Sequence, residues 1–432
     1  MKRPHILMII SHDTGRYLGC YGAAVRTPNL DRLAAEGIRF EQNFCVAAQC
    51  SPSRGSLMTG RYPHKNGLIG LAHLGWNLNE NEICLPQYLN QAGYETHLFG
   101  FQHEVPKGQV DRLGYQHFHP TPHNFIHEVS PLVEEFLAAR ADSADSPPLF
   151  LMVGVEETHR DFVQPIYTPD DPSEVVVPPY LPDAPGVRED LAWFHGTVKA
   201  LDEGVGRILR ALADAGMAEE TLVIYTTDHG IAFPRAKGMS YDPGLETALI
   251  MRWPGRIQPG TVQRRLVTHL DFLPTLLEAV GATRPAHLDG ESYLPLLFGE
   301  ECRTRDSFFL EMTWHDRYNP HRGIRTERFK YIRNFDPNAT LVYVPRDIHT
   351  GPAGTALPPS YYGETRPEEE LYDLVNDPLE QHNLAGDAAY AEVLADLRTR
   401  VQRWMEQTDD PLLRGPVPPT PEQARIDWSP KG

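Results

Sequence analysis

The chain has 432 residues, long enough for two domains or for one large domain with an appendage, and its 41% hydrophobic and 9% aromatic content is that of a soluble globular protein. Its 40 Lys and Arg against 58 Asp and Glu leave a formal charge of -18, which excludes a general binder of nucleic acid or of anionic membranes, since both need a broad basic footprint. An anionic substrate would have to meet a local cationic pocket.

The chain opens with Met1-Lys2-Arg3-Pro4 and an apolar stretch too short for a signal-peptide core, so residues 5–11 read as a first core strand buried on both faces. That strand ends in His12-Asp13-Thr14-Gly15, and the carboxyl ends of strands are where open α/β sheets place ligands. Residues 27–37 read as a short capped helix, and 38–44 as an extended lead into a loop around Cys50. The stretch Cys50-Ser51-Pro52-Ser53-Arg54 opens a helix, with Ser51 as its cap and Pro52 in the first turn. Further on, 85–92 is helical, and a strand at 96–99 delivers Gly100-Phe101-Gln102-His103. Residues 131–140 form an amphipathic helix, and a buried strand at 148–153 ends at Glu156-Glu157-Thr158-His159. The proline-rich segment 160–188 reads as a long surface loop near the site. A long helix spans 191–215, and a strand at 221–225 closes on Thr227-Asp228-His229-Gly230. A strand at 249–253 and a helix at 271–280 follow.

Strands alternating with helices at this spacing predict a mostly parallel α/β sheet. Past about residue 305 the pattern changes to short strands at 307–310, 328–332 and 341–344, followed by a helix at 390–407. This predicts a catalytic α/β domain over 1–305 and a small antiparallel α+β domain over 306–432, with a proline-rich tail from Asp409 lying extended on the surface. Five cysteines, Cys20, Cys45, Cys50, Cys84 and Cys302, form no CxxC pair and are odd in number, so neither a disulfide framework nor a zinc knot is expected. Reduced thiols and the absence of a leader-like segment predict a cytoplasmic protein with no membrane association. The oligomeric state stays open, a homodimer included.

A helix start is an anion site, because its free N–H groups and positive dipole end attract an oxyanion, and Arg54 adds a fixed charge beside the sulfur. Cys50 therefore sits where a sulfate or phosphate would dock. Taken alone, the cysteine could equally be a small buried thiol, and each strand-end aspartate a cap or turn former. Taken together, Asp13 and Asp228 are hard oxygen donors with His12 and His229 beside them, and with the cysteine loop they point to a divalent-metal site.

The string Cys50-x-Pro52-Ser53-Arg54, continued by Leu57-Met58-Thr59-Gly60-Arg61, resembles the signature of the type I sulfatases. That resemblance implies an alkaline-phosphatase-like sheet sandwiched by helices. It also implies that a formylglycine-generating enzyme oxidises Cys50 to formylglycine, whose aldehyde hydrate is the nucleophile. It implies one divalent metal, Ca²⁺ in first place with Mg²⁺, Mn²⁺ or Zn²⁺ as alternatives, held by His12, Asp13, Cys50, Asp228 and His229. The family has a carboxylate where this chain has His12, an exchange that favours softer ions or makes His12 a neighbour of the ligands instead of a ligand. Arg54 matches the arginine that orients the nucleophile, and His159 and Lys237 match the pair that grips the sulfate. His103 matches a histidine that assists sulfate release, and His159 the group that protonates the leaving atom. His64 is a candidate to line the substrate pocket or to serve a turn. The lysine expected two residues before His103 is replaced by Phe101, so its charge is missing or comes from Lys65, Lys107 or Arg160.

Further punctuation of the same kind extends along the chain in Thr27-Pro28-Asn29-Leu30-Asp31, Trp253-Pro254-Gly255 and Leu371-Tyr372-Asp373-Leu374. Val177-Pro178-Pro179-Tyr180, Asp202-Glu203-Gly204-Val205-Gly206 and Asp228-His229-Gly230-Ile231 look most like the N-sulfoglucosamine sulfohydrolase (heparan N-sulfatase) branch, which implies a sulfated saccharide and S–N cleavage. Three readings follow: a sulfuric ester or sulfamate hydrolase acting on such a sugar or an aryl sulfate, a phosphonate monoester or phosphodiester hydrolase on the same scaffold, and a non-catalytic binder of sulfated glycans.

Overall fold

The computed structural model describes residues 3–140, 146–302 and 305–426. Its strands, in chain order, are β1 (His5–Ser11), β2 (Ile38–Phe40), β3 (Asn43–Phe44), β4 (Glu95–Gly100), β5 (His117–His119), β6 (Leu149–Gly154), β7 (Thr221–Thr227), β8 (Leu249–Arg252), β9 (Thr261–Gln263), β10 (Val267–Thr268), β11 (Ser307–Trp314), β12 (Tyr318–Thr326), β13 (Phe329–Asn334) and β14 (Glu369–Asp373). Eight of them form one sheet in the order β5-β4-β6-β1-β7-β8-β2-β9. The β7–β8 and β8–β2 pairs are antiparallel and the other pairs parallel, so β8 alone runs against the rest.

β1 lies between β6 and β7, with Ile10 opposite Gly154 on one side and Ser11 opposite Thr227 on the other. Its apolar run serves two cores at once, as a strand buried on both faces requires. Leu7 and Ile9 join the core under the helices Pro28–Glu36, Ile126–Arg140 and Pro185–Asp214. Ile6, Met8 and Ile10 join the other, under Cys50–Thr59, Leu85–Gln91 and Phe272–Ala279. This is the predicted helix-sandwiched, mostly parallel sheet, and it brings the carboxyl ends of β1, β4, β6 and β7 to one side.

The second sheet is antiparallel, in the order β11-β12-β13-β14, and the Ala391–Gln407 helix packs on it through Leu397, Val401 and Trp404. Phe308, Leu310, Ile324 and Leu371 of this sheet enter the same core as Leu7 and Ile9. Two sequence expectations change here. Residues 341–344 are irregular, although Val342, Tyr343 and Val344 are buried. Absent from the expected strands are β14 and β12, and in β12 Pro320, Gly323 and two arginines hide the strand character. Its charges are neutralised from outside the sheet, Arg322 by Asp410 and Arg325 by Asp242, and a Cβ on Gly323 would stand 2.3 Å from the Tyr331 carbonyl oxygen. The tail from Asp409 does more than cover the surface. Gln423 is buried, donates to the Asp316 carbonyl at 2.7 Å and accepts from Trp76 at 3.2 Å. Among the described residues no helix is long and apolar enough to cross a membrane.

Candidate active site

Where β1 ends, the chain turns through Asp13, whose φ of 56° lies in the left-handed region that side chains seldom adopt. Hydrogen bonds from neighbouring strand ends hold this turn. The Asp13 N–H donates to Asp228 Oδ1 at 2.9 Å, the Thr14 N–H to Thr227 Oγ1 at 3.1 Å, and the His12 N–H to the Glu157 carbonyl at 2.7 Å. Strand pairing in the sheet thus sets the side chains of β1 and β7 against one another.

Cys50 is the first residue of its helix, which runs Cys50–Thr59 and is buried throughout. The residue before it, Gln49, is extended and offers no side-chain cap, so the first-turn N–H groups have no side-chain acceptor from that residue. Ser51 is not the cap that the sequence suggests. It lies within the helix, where its hydroxyl accepts from the Ala72 N–H at 2.9 Å. Ser53 instead fastens the helix to β7 by donating to the Asp228 carbonyl.

His12, Asp13, Cys50, Asp228 and His229 are all buried, and each offers one ligating atom within 4.8 Å of the others. His229 Nε2 lies 3.0 Å from Asp13 Oδ1 and 3.4 Å from Cys50 Sγ. His12 Nε2 lies 3.3 Å from Asp228 Oδ2 and 3.5 Å from Asp13 Oδ1, and neither of its ring nitrogens makes a hydrogen bond. Two carboxylates, two imidazoles and residue 50 converging on one point, with both nitrogens of a buried ring unbonded, fit a divalent cation. Burial opposes protonation of His12, yet Asp228, Cys50 and Asp13 hold it up to about 9. A proton and a cation therefore compete for the same nitrogen, because imidazole ligates only when neutral.

The cationic groups surround this cluster. Burial raises the Cys50 thiol, but Lys237, His12 and His229 outweigh it and hold the group well below its usual range. Arg54 donates through Nε to Asp228 Oδ2 at 2.9 Å and through Nη2 to the Ser11 carbonyl at 3.2 Å, and its Nη1 is buried without a partner. Lys237 Nζ donates to Asp13 Oδ2 at 2.7 Å, to Asp347 Oδ2 at 3.0 Å and to His159 Nε2 at 3.2 Å. The His159 ring lies 4.5 Å from that of His12. His103 stacks on His73 at 5.2 Å and shares a 2.9 Å hydrogen bond with it, and its ring lies 5.9 Å from that of His12.

Of the predicted residues, His64 goes elsewhere. Its Nδ1 bonds the Glu311 carboxylate at 2.9 Å and its ring packs edge-on against Trp404, so it anchors the helix region to the second sheet instead of lining a pocket. The proposed substitutes for the missing lysine are also engaged or remote. Lys65 pairs with Asp289, Arg160 makes a two-pronged pair with Asp190 and stacks on Phe162, and Lys107 is exposed. Phe101 itself lies 4.9 Å from the His12 ring and 5.0 Å from the Arg54 guanidinium carbon. The two departures from the family pattern thus pack against each other, and together they exchange one negative and one positive group for two rings.

Sequence reasoning missed three neighbours. His73 partners His103, Asp347 partners Lys237, and His315, at the turn after β11, is buried. Burial lowers His315, but its neighbours Asp316 and Cys50 raise it to about 9. None of the three lies in a recognisable motif. The only sequence signal is that His315-Asp316 repeats, at another strand end, the dipeptide His12-Asp13.

The sulfatase family model matches residues 4–282, and the model described as N-sulphoglucosamine sulphohydrolase, C-terminal, matches residues 230–352. The chain is 31% identical to human N-sulphoglucosamine sulphohydrolase, over 95% of this chain and 91% of that one. A solved structure of a protein in complex with its substrate D-glucosamine-2-N,6-O-disulfate superposes with a TM-score of 0.72 at 21% identity, covering 95% of this chain and 99% of that one. The phosphonate monoester hydrolase of Agrobacterium radiobacter does so with a TM-score of 0.73 at 22% identity, covering 94% and 96%. Both structures share the fold. The match over well more than half of the chain, with Cys50 and its neighbours gathered at the strand ends, establishes that this protein belongs to the sulfatase family of hydrolases.

Proposed function

We propose that this protein hydrolyses the sulfate group of a sulfated amino sugar, an N-sulfoglucosamine in particular, with residue 50 as nucleophile after conversion of its cysteine to formylglycine by a maturation enzyme. The observation that carries this reading is Cys50 at an uncapped, buried helix start, within 4.8 Å of two carboxylates and two imidazoles and flanked by Arg54 and Lys237. Similarity along 95% of the chain to a protein named for N-sulfoglucosamine supports the substrate. The catalytic domain spans residues 1–305 and the smaller domain 306–432. All five cysteines stand as free thiols, which supports a reducing, cytoplasmic compartment.

Formylglycine would supply a hydroxyl of its aldehyde hydrate for attack on sulfur. His12, Asp13, Asp228 and His229 would hold a divalent ion with it, Ca²⁺ or a softer ion such as Mn²⁺ or Zn²⁺, that offsets negative charge. Arg54 orients the nucleophile, and its free Nη1–H is available to a sulfate oxygen. Lys237 grips the sulfate. The Nδ1–H of His159 donates to the Arg160 carbonyl and its Nε2 accepts from Lys237, so once Lys237 turns to the sulfate Nε2 is the ring atom that takes up a proton from solvent and delivers it to the leaving nitrogen or oxygen. His103 is tied to His73 through Nε2, so its buried, unbonded Nδ1 takes the proton that accompanies sulfate release.

Peptide mass analysis of the Cys50 segment after co-expression with the maturation enzyme, paired with assays on N-sulfoglucosamine, tests the reading. An aldehyde at residue 50 and a loss of roughly 10⁴-fold or more in Cys50→Ala are expected. An unconverted thiol with unchanged activity in Cys50→Ala would overturn it. The second reading, a phosphonate monoester or phosphodiester hydrolase, draws on the Asp228-His229 pair and on Phe101 in place of a sulfate-binding lysine. Relative rates on aryl sulfate and aryl phosphodiester separate the two. A non-catalytic glycan binder would have no use for Cys50, Arg54, Lys237, His103 and His159 together.

A further inference from the structure

The outer edge of the main sheet carries a second gathering of imidazoles, at the end of β4 opposite Gly100. Parallel pairing sets His97 beside His117 and Phe99 beside His119. Side chains alternate along a strand, so Glu95, His97 and Phe99 of β4 and His117 and His119 of β5 share one face. The Ile126–Arg140 helix packs on that face through Phe136, whose ring lies 4.5 Å from His97 and 5.4 Å from Phe99.

Within this group, His97 Nε2 lies 3.0 Å from Glu95 Oε1 and His117 Nε2 lies 3.6 Å from the same oxygen. The three atoms are all within 4.8 Å of one another. Ligands about 2.0–2.1 Å from a tetrahedral zinc stand roughly 3.4 Å apart, and the two shorter separations bracket that value. The His117 side chain is 50% exposed and its ring is stacked on that of His97 at 4.4 Å, so the third separation closes by turning His117 out of that stack. The other nitrogen of His97 is also engaged: Nδ1 lies 3.1 Å from His119 Nε2, and the His119 ring is stacked on Phe99 at 4.2 Å. In the metal-free protein His97 donates through Nε2 to the Glu95 carboxylate and accepts at Nδ1 from His119; an ion on Nε2 displaces that proton, and His97 then keeps its one N–H on Nδ1, with His119 Nε2 turned to acceptor. An outer partner that fixes the tautomer in this way is a regular companion of metal-ligating histidines.

We propose that Glu95, His97 and His117 form a second divalent-metal site, separate from the catalytic cluster, with His119 as the positioning residue that sets the His97 tautomer. Two imidazoles and one carboxylate suit Zn²⁺ and its neighbours in the transition series and not Ca²⁺. Arg140 now pairs with Glu95, stacks on Phe136 and would release the carboxylate to the ion. Bound there, the ion clamps β5, a three-residue edge strand, to β4.

The test titrates the full-length, chelator-stripped protein with Zn²⁺ by calorimetry and with Co²⁺ by its visible spectrum, in wild type, His117→Ala, Glu95→Gln and His119→Ala. Wild type is expected to bind one more equivalent than His117→Ala or Glu95→Gln, and to gain more thermal stability from Zn²⁺. His119→Ala is expected to keep the equivalent with about 10–100-fold weaker affinity. Turnover at saturating metal stays equal in all four, which separates this site from the catalytic one. Equal stoichiometry and equal thermal shifts in wild type, His117→Ala and Glu95→Gln would overturn the proposal.

Discussion

Two arginines are buried to the same degree in this protein and are used in opposite ways. Arg322 on β12 is 0% exposed, and each terminal nitrogen is consumed: Nε and Nη2 by Asp410, Nη1 by the Met312 and His321 carbonyls, Nη2 also by Thr313. Arg54 is 1% exposed and meets Asp228 and the Ser11 carbonyl, but its Nη1 is left without a partner. A buried donor without an acceptor costs about 1–3 kcal/mol. No nitrogen of Arg322 carries that cost, while Arg54 carries it at Nη1 and both ring nitrogens of His12 are likewise unbonded. Arg322 is bonded at every nitrogen, as a charge held for stability alone would be; Arg54 keeps one donor free, as the proposed contact with a sulfate oxygen requires.

The sharpest way to break this contrast is to remove each arginine. Arg322→Met strands Asp410 and Glu311 without their cation, and about 3–5 kcal/mol of stability is expected to be lost. The molecules that remain folded should turn over normally. Arg54→Lys keeps a cation but loses the fork, and kcat/KM is expected to fall roughly 10²–10³-fold with a small change in the urea midpoint. Urea unfolding and steady-state assays on both variants check this. A stability loss in Arg54→Lys as large as that in Arg322→Met would erase the distinction.

Asp347 tests a contact between the two regions, because it comes from the C-terminal part of the chain and holds the catalytic-side Lys237. Burial raises its carboxyl, but Lys237 and His159 outweigh it and bring it down to about 2. A folded-state value below the unfolded one contributes stability that is fully present above about pH 4 and fades as pH falls through about 2. Asp347→Asn is expected to lose ~2 kcal/mol at pH 6, with the gap to wild type narrowing as pH drops below 4. Lys237, released from one of its acceptors, should also bind sulfate differently, and a several-fold change in KM is the companion readout. A gap that stays constant from pH 6 to pH 3 would remove Asp347 from this role.

The same contrast explains what could be read from the sequence. β1 and β7 were legible because apolar runs buried on two faces need nothing from the rest of the chain, and the Cys50 helix because its residues act within one short string. β12 was illegible because its polar residues are buried only by partners far along the chain, Asp242 and Asp410. His315, on the turn after β11, and Asp347, on the one-turn helix Arg346–His349, reach the site through tertiary contacts, which no local pattern encodes. His64 misled for the converse reason: it follows the Cys50–Thr59 helix closely, but the Glu311 carboxylate across the interface draws it away.

His12 and Phe101 pose the finest test, because each departs from the family pattern and the two rings lie 4.9 Å apart. If they are one exchange, a carboxylate and a lysine given up together, restoring either alone should be worse than restoring both. Phe101→Lys would place a third cation beside Arg54 and Lys237 with no added carboxylate. His12→Asp would put three carboxylates around one cation with no added lysine, and would leave Phe101 facing a charge. In the double variant the new pair compensates itself. A double-mutant cycle in kcat/KM and in metal affinity is therefore expected to show favourable coupling of roughly 0.5–3 kcal/mol, the range for residues in contact. Additive effects would mean that the two positions drifted independently. In that case Phe101 is only a cover over Arg54, and the softer donor His12 acts on the metal by itself.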